Sequence, residues 1–145
     1  MIALLQRVTE ARVEVAGLVK GQIGPGLLAF IGVRPDDDGA RAARLLTRLL
    51  DYRIFADPAG RMNLSVRDTG GGLLLVPQFT LAADTRSGNR PGFSTAAPPQ
   101  LARALFDELL ELARRQHPHT AGGEFGAHMQ VHLINDGPAT FWLET

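Results

Sequence analysis

The residues that could do chemistry in this chain of 145 are few: four histidines, a polar triplet closing an apolar run, and a Gly-Pro pair near the C-terminal end. There is no cysteine, which removes disulfides, thiolate nucleophiles and Cys-ligated metals. His128 and His132 stand four apart on a predicted strand; they share a face but are too widely spaced to chelate easily. His117-Pro118-His119 has only Glu124 as a carboxylate near it in sequence. No metal and no cofactor are expected from such a set. A Gly-x-Ser-x-Gly elbow is missing, neither Ser87 nor Ser94 falls at a strand-to-helix turn, and there is no phosphate loop.

Two local features remain. In Gln78-Phe79-Thr80, polar groups flank an aromatic where a buried strand ends. Strand ends are good places to present a hydroxyl and backbone N–H groups to a ligand. The plainer reading is a sheet edge where Thr80 merely favours β conformation. In Gly137-Pro138, proline removes one N–H and leaves carbonyls without local partners. Here the plainer reading is a connection between strands.

The elements that must hold these residues can be read from periodicity. Ile2–Val8 and Arg12–Val15 are short strand-like runs, and Leu18–Ile23 extends a hairpin around Gly17. Gly24-Pro25-Gly26 is a turn, and the unbroken apolar run Leu27–Val33 predicts a strand buried on both faces. Acidic residues Asp36–Asp38 cap a helix whose Leu45, Leu46, Leu49 and Leu50 repeat at helical spacing. Arg53–Phe55 reads as a strand, and Leu73–Val76 as a buried one that runs into Pro77–Leu81. A long loop over residues 82–98 precedes a second helix, opened by Pro98-Pro99 and striped by Leu101, Leu105, Leu109 and Leu112. Met129–Ile134 and Thr140–Leu143 are closing strands, joined by a turn at Asn135–Pro138. The expected fold is a single α+β domain over residues 1–145: a mostly antiparallel, barrel-like sheet with two main helices.

Composition narrows the partners. The hydrophobic share is 45% and the charged share 21%, ordinary for a globular domain and wrong for disordered or fibrous chains. A domain of this length can bury roughly 70% of its unfolded surface. No stretch approaches the roughly 18 apolar residues of a membrane span, and Met1–Arg7 reads as a strand, not a signal peptide; the expected location is cytoplasmic. Fifteen basic residues balance fifteen acidic ones. A protein gripping many phosphates usually carries a basic excess, so an RNA partner would have to be held over a small footprint.

Across its whole length the chain resembles the D-aminoacyl-tRNA deacylase family. The family signature Ser-Gln-Phe-Thr-Leu is met by Pro77-Gln78-Phe79-Thr80-Leu81, four positions of five, and Asn-x-Gly-Pro-x-Thr is met in full by Asn135–Thr140. Gln6-Arg7-Val8, Tyr52–Phe55, Asp84 with Arg90–Phe93, and Gly123–Val131 add to the likeness. Each fragment is short; their order from one end of the chain to the other carries the resemblance.

The resemblance implies hydrolysis of the ester that links a D-amino acid, or glycine, to the 3′ end of tRNA. It implies a homodimer in which Gly137-Pro138 of one subunit, with a cis peptide bond, enters the pocket of the other and excludes L-aminoacyl esters. Arg7 would hold that dipeptide, and Phe125 and Met129 would lie near the substrate. Gln78, Phe79 and Thr80 would form the catalytic segment. Thr80 is open to two roles: a nucleophile, which needs an adjacent base, or a group that orients substrate while the terminal ribose 2′-hydroxyl assists water; the second is the favoured one. Pro77 departs from the signature, since Ser marks the D-specific family and Pro is typical of a related group acting on L-alanine mischarged to tRNA. Two alternatives therefore stand beside the main reading: an L-Ala-tRNA editing deacylase, and a non-catalytic module that binds an RNA end.

Overall fold

Apolar runs without alternation need cover on two sides, and the fold supplies it. The computed structural model describes residues Met1–Thr145. In chain order it places β1 (Ile2–Val15), β2 (Leu18–Ile23), β3 (Gly26–Gly32), α1 (Gly39–Asp51), β4 (Phe55–Ala56) and β5 (Met62–Leu64). There follow α2 (Val66–Thr69), β6 (Gly72–Pro77), a 3-10 turn (Phe79–Ala82), α3 (Pro99–Gln116), β7 (Thr120–Gly122) and β8 (Met129–Glu144). The main sheet runs β2-β1-β3-β6-β7, with β8 along the other side of β1. β1 pairs antiparallel with β2, β3 and β8, while β3–β6 and β6–β7 are parallel.

Leu27, Ala29, Ile31, Leu73 and Leu75 face the helices, where Leu45, Leu46, Leu49, Leu105, Phe106 and Leu109 complete one core. Leu28, Leu74 and Val76 face the inside of the curled sheet and meet Val8, Val13 and Ile23, with Met129, Val131 and Leu133 packed against them. Both faces of β3 and β6 are thus dry, as their sequences require. The sheet curls far enough that β2 approaches β7. A Cβ on Gly21 would stand 2.6 Å from the carbonyl oxygen of Gly122, an approach of two backbones that a side chain would block. The α+β, barrel-like, mostly antiparallel architecture is as the sequence predicts.

Both main helices are fixed by local chemistry. Asp38 caps α1 by accepting from the Arg41 N–H at 2.8 Å, and Pro99 occupies the first turn of α3, where its missing N–H costs nothing.

Several boundaries differ from the sequence reading. The two short N-terminal runs are one strand, β1, that continues through an irregularity between Val8 and Glu10. The Arg53–Phe55 strand shrinks to Phe55–Ala56, paired with β5. The strand entering Pro77–Leu81 stops at Pro77, and Phe79–Ala82 winds into the 3-10 turn. Asn135–Pro138 does not reverse the chain. Both halves of β8 run in one direction along β1, with Val8 opposite Asn135 and Gln6 opposite Thr140. Between those pairs β1 passes only Arg7, while β8 passes Asp136, Gly137, Pro138 and Ala139, so the segment is thrown out as a bulge.

Candidate active site

The end of β6 delivers the first group of residues. Gln78 keeps the ladder to β3, its N–H donating to the Ile31 carbonyl at 2.7 Å. The chain then turns, so Phe79 and Thr80 begin a 3-10 helix with no side-chain cap. The opening N–H groups of such a turn have no partner within the helix itself. The Gln78 Nε2 donates to the Thr80 Oγ1 at 2.5 Å. Phe79 is 54% exposed, with its ring 5.2 Å from that of Phe93.

Behind this segment lies a cavity of about 440 Å³, lined by Pro77, Gln78, Phe79, Phe125, His128 and Met129 among others. A single stretch, residues 125–129, forms one wall, and Ala102 with Pro99 at the start of α3 forms another. The lining contains no Asp, Glu, Lys or Arg; His128 is its one ionisable side chain. Pro77 is buried in the wall, its Cδ 3.2 Å from where a Cβ on Gly123 would stand and the Met129 sulfur nearby at 2.9 Å. The long loop beyond the 3-10 turn is braced: Asp84 and Gly92 exchange backbone hydrogen bonds at 2.8 and 3.0 Å, and Thr95 Oγ1 donates to the Ala82 carbonyl at 2.6 Å. The Arg86 guanidinium bonded to Asp84 holds that carboxyl well below the usual carboxylate range.

The second group lies on the β8 bulge. The Gly137–Pro138 peptide bond is cis, and Asn135 through Pro138 are exposed. Arg7 Nε donates to the Asp136 carbonyl at 3.0 Å and lies 3.0 Å from its carboxylate, while a terminal nitrogen reaches the Ile54 carbonyl at 2.5 Å. Asn135 Nδ2 donates to the carbonyls of Arg7 and Ala139 at 3.0 and 3.2 Å.

The residues singled out in the sequence therefore fall into two sets. Gln78, Phe79, Phe125 and Met129 converge on one cavity, with Thr80 tied to Gln78. Gly137 and Pro138 lie on the bulge, Arg7 holds it from β1, and none of the three lines that cavity. Sequence reasoning missed Ala102 and His128 as lining residues and Arg103, whose guanidinium sits 4.9 Å over the Phe125 ring. Nothing local marks a contact between a helix face and a loop so far along the chain. Among the other histidines, His117 is buried with its Nε2 2.7 Å from the Gly71 carbonyl, and His132 lies 3.5 Å from Glu14.

This chain is similar along its length to known proteins. The family model described as D-Tyr-tRNA(Tyr) deacylase matches residues 4–144. A D-aminoacyl-tRNA deacylase of Azotobacter vinelandii (strain DJ / ATCC BAA-1303) is 65% identical over 144 residues, which cover 99% of each chain. Another, from Thioalkalivibrio sulfidiphilus (strain HL-EbGR7), is 67% identical over 144 residues, 99% of this chain and 97% of its own. A solved structure named c-Myc DNA Unwinding Element Binding Protein matches with a TM-score of 0.95 at 36% identity, covering 100% of this chain and 99% of its own. A probable eukaryotic D-amino acid tRNA deacylase, at 17% identity and a TM-score of 0.87 over 99% of this chain and 98% of its own, shares the fold.

Proposed function

The chain belongs to the D-Tyr-tRNA(Tyr) deacylase family, and on that premise we propose that it hydrolyses D-aminoacyl-tRNA, and glycine mischarged on tRNA, to free amino acid and tRNA. Water adds to the ester carbonyl, the carbonyl oxygen becomes an oxyanion, and the ribose oxygen leaves with a proton. The observation that carries this reading is the neutral cavity behind Gln78, Phe79 and Thr80. The N–H groups of Phe79 and Thr80 supply the oxyanion donors, a contribution commonly worth about 3–4 kcal/mol each. Thr80 and Gln78 orient the ester, and the 2′-hydroxyl of the terminal ribose assists the attacking water. An ester is an activated bond, so this modest apparatus suffices without a metal or cofactor.

Chiral selection falls to the bulge. In a homodimer, Gly137 and Pro138 of one protomer enter the partner's cavity, where their carbonyls accept from the substrate ammonium and occupy the space an L side chain needs. Selection by a clash rejects the wrong enantiomer without inspecting side-chain chemistry, and glycine, having no side chain, passes. The support is that the exposed dipeptide is braced on its own protomer by Arg7 and Asn135 and takes no part in lining the cavity behind Gln78 there. The enzyme works where aminoacyl-tRNA is made and used, in the cytoplasm.

The test is release of D-Tyr and Gly from charged tRNA by purified protein with L-Tyr-tRNA spared; equal hydrolysis of both enantiomers overturns the selector. A second reading, editing of L-Ala-tRNA, draws on Pro77, which puts an apolar ring in the cavity wall where the family signature has Ser. Preference for L-Ala-tRNA over D-Ala-tRNA would establish it. A non-catalytic module that binds an RNA end is disfavoured by the net charge of zero and would show binding without turnover.

A further inference from the structure

No arginine or lysine lines the cavity, but one guanidinium rests against its rim. Arg103 follows the lining residue Ala102 on α3. Its Cζ lies 4.9 Å from the centroid of the Phe125 ring, and Nη2 donates to the Phe125 carbonyl at 3.2 Å. The same nitrogen is 3.3 Å from where a Cβ on Gly126 would stand. Gly126 adopts a φ of 80° in the turn from Glu124 to Ala127, a conformation that suits glycine and keeps the approach bare.

Arg103 also declines the ordinary partner. Asp107 is one helical turn further along α3, a spacing at which opposite charges commonly pair, yet Arg103 forms no salt bridge within 4.0 Å. Lys20, by contrast, pairs with Glu124 at 3.2 Å, and Arg86 with Asp84 at 2.8 Å. A guanidinium that stacks on an aromatic and spends one donor on a carbonyl is held in place with donors to spare, and Arg103 is exposed. That arrangement suits a phosphate more than it suits packing.

We propose that Arg103 is a substrate-binding residue that takes a backbone phosphate of the 3′-terminal nucleotides while the aminoacyl ester occupies the cavity. The proposal rests on the reading of the substrate as an aminoacyl-tRNA and adds the subsite that a net-neutral protein needs to grip a polyanion over a small footprint. Phosphate contacts of this kind position the ligand without reading sequence.

The experiment compares wild type, Arg103→Gln and Arg103→Lys on two substrates: D-Tyr-tRNA, and D-tyrosyl adenosine, which keeps ester, ribose and base but has no phosphate. Arg103→Gln should raise KM for D-Tyr-tRNA about five- to tenfold with kcat within about twofold. It should lower kcat/KM for D-tyrosyl adenosine far less than for D-Tyr-tRNA. The plot of log kcat/KM against log salt should become shallower by about 0.7, one single-strand phosphate contact, and Arg103→Lys should restore part of the KM. An equal loss on both substrates would overturn the proposal by showing that Arg103 only supports Phe125, and so would an unchanged KM on D-Tyr-tRNA. Wild-type protein that cleaves neither ester would overturn the deacylase reading, and this subsite with it.

Discussion

Arg7 and Asn135 clamp the base of the β8 bulge from both strands: the Asn135 amide donates to the Arg7 carbonyl at 3.0 Å, and the Arg7 side chain donates across to Asp136 at 3.0 Å. A fork is needed, because the same guanidinium also holds the Ile54 carbonyl at 2.5 Å. Lysine offers a point charge in place of that fork. Arg7→Lys should therefore lower kcat/KM on D-Tyr-tRNA at least about tenfold and narrow the gap between D and L substrates, while stability falls by about 1 kcal/mol or less. Paired kinetics on the two enantiomers, with a urea melt as control, check this.

Gly137→Ala addresses the same bulge from within. A Cβ on Gly137 would run into the Asn135 side-chain oxygen, so the Asn135 clamp must give way. The bulge is exposed, and little packing is lost. The expected outcome is a fall in D-Tyr-tRNA turnover of about tenfold or more with an unfolding midpoint close to wild type. A midpoint that drops along with activity would point to a stability effect instead.

How much of this was legible in the sequence follows from how local each signal is. The Asp38 cap and the leucine stripe of α1 lie within a few residues of one another, and the reading of α1 and α3 stands. Asn135-Asp136-Gly137-Pro138 has the residues of a turn, and those residues serve a bulge equally well. Only the partner decides between them, and Val8 and Gln6 of β1 lie some 130 positions away. β1 read as two strands because its polar middle, Thr9-Glu10, falls at the irregularity in the ladder. The convergence of Gln78 with Phe125 and Met129 depended on the family resemblance, since no periodicity links a 3-10 turn to a loop beyond α3. Arg103 over Phe125 had no sequence signal at all, because a helix-to-loop stack is a product of the packing.

The Thr80 hydroxyl has a Gln78 amide N–H as its side-chain hydrogen-bond donor at 2.5 Å. An amide N–H cannot take the hydroxyl proton, which favours the orienting role proposed for Thr80 over a nucleophilic one. Thr80→Ser should keep activity within about threefold, whereas Thr80→Ala should lower kcat by about 10- to 100-fold without abolishing it. Acid-quenched reactions should show no acyl-protein by mass spectrometry, and tRNA ending in 2′-deoxyadenosine should be cleaved far more slowly. A trapped acyl group on Thr80 would reverse the assignment.

Acid should unfold the protein in a predictable window. The Ser65 backbone N–H, then its hydroxyl, hold the Asp68 carboxyl below its ordinary value in the capping box of α2. Arg34, then Trp142, do the same for Glu144, and Arg12 does so for Glu14. Where the folded value is depressed, the unfolded chain takes up protons first as pH falls. The stabilisation is thus present above the unfolded carboxylate values, near pH 4, and is lost as pH drops through the lower folded ones. Urea midpoints should change little between about pH 7 and 5 and fall below about 4. Asp68→Asn should make that acid fall shallower.

Asp37 makes the sharpest stability prediction, because its environment leaves no second way to satisfy it. Its side chain and the Met1 ammonium are both 0% exposed and 2.5 Å apart. The other carboxylate oxygen accepts the Arg34 N–H at 2.7 Å, and Arg41 reaches the first at 3.3 Å. Every neighbour of this carboxylate is a donor. Asparagine keeps the shape but must turn its own NH₂ towards either the ammonium or the Arg34 N–H, setting donor against donor. Asp37→Asn should therefore cost nearly as much as Asp37→Ala, about 3–5 kcal/mol in urea denaturation, the usual penalty for stranding one member of a buried pair. Arg41→Gln should cost far less, since the Arg41 side chain is 40% exposed and solvent can replace what it provides. Equal losses at Asp37 and Arg41 would mean that the ammonium is not the charge that Asp37 chiefly answers.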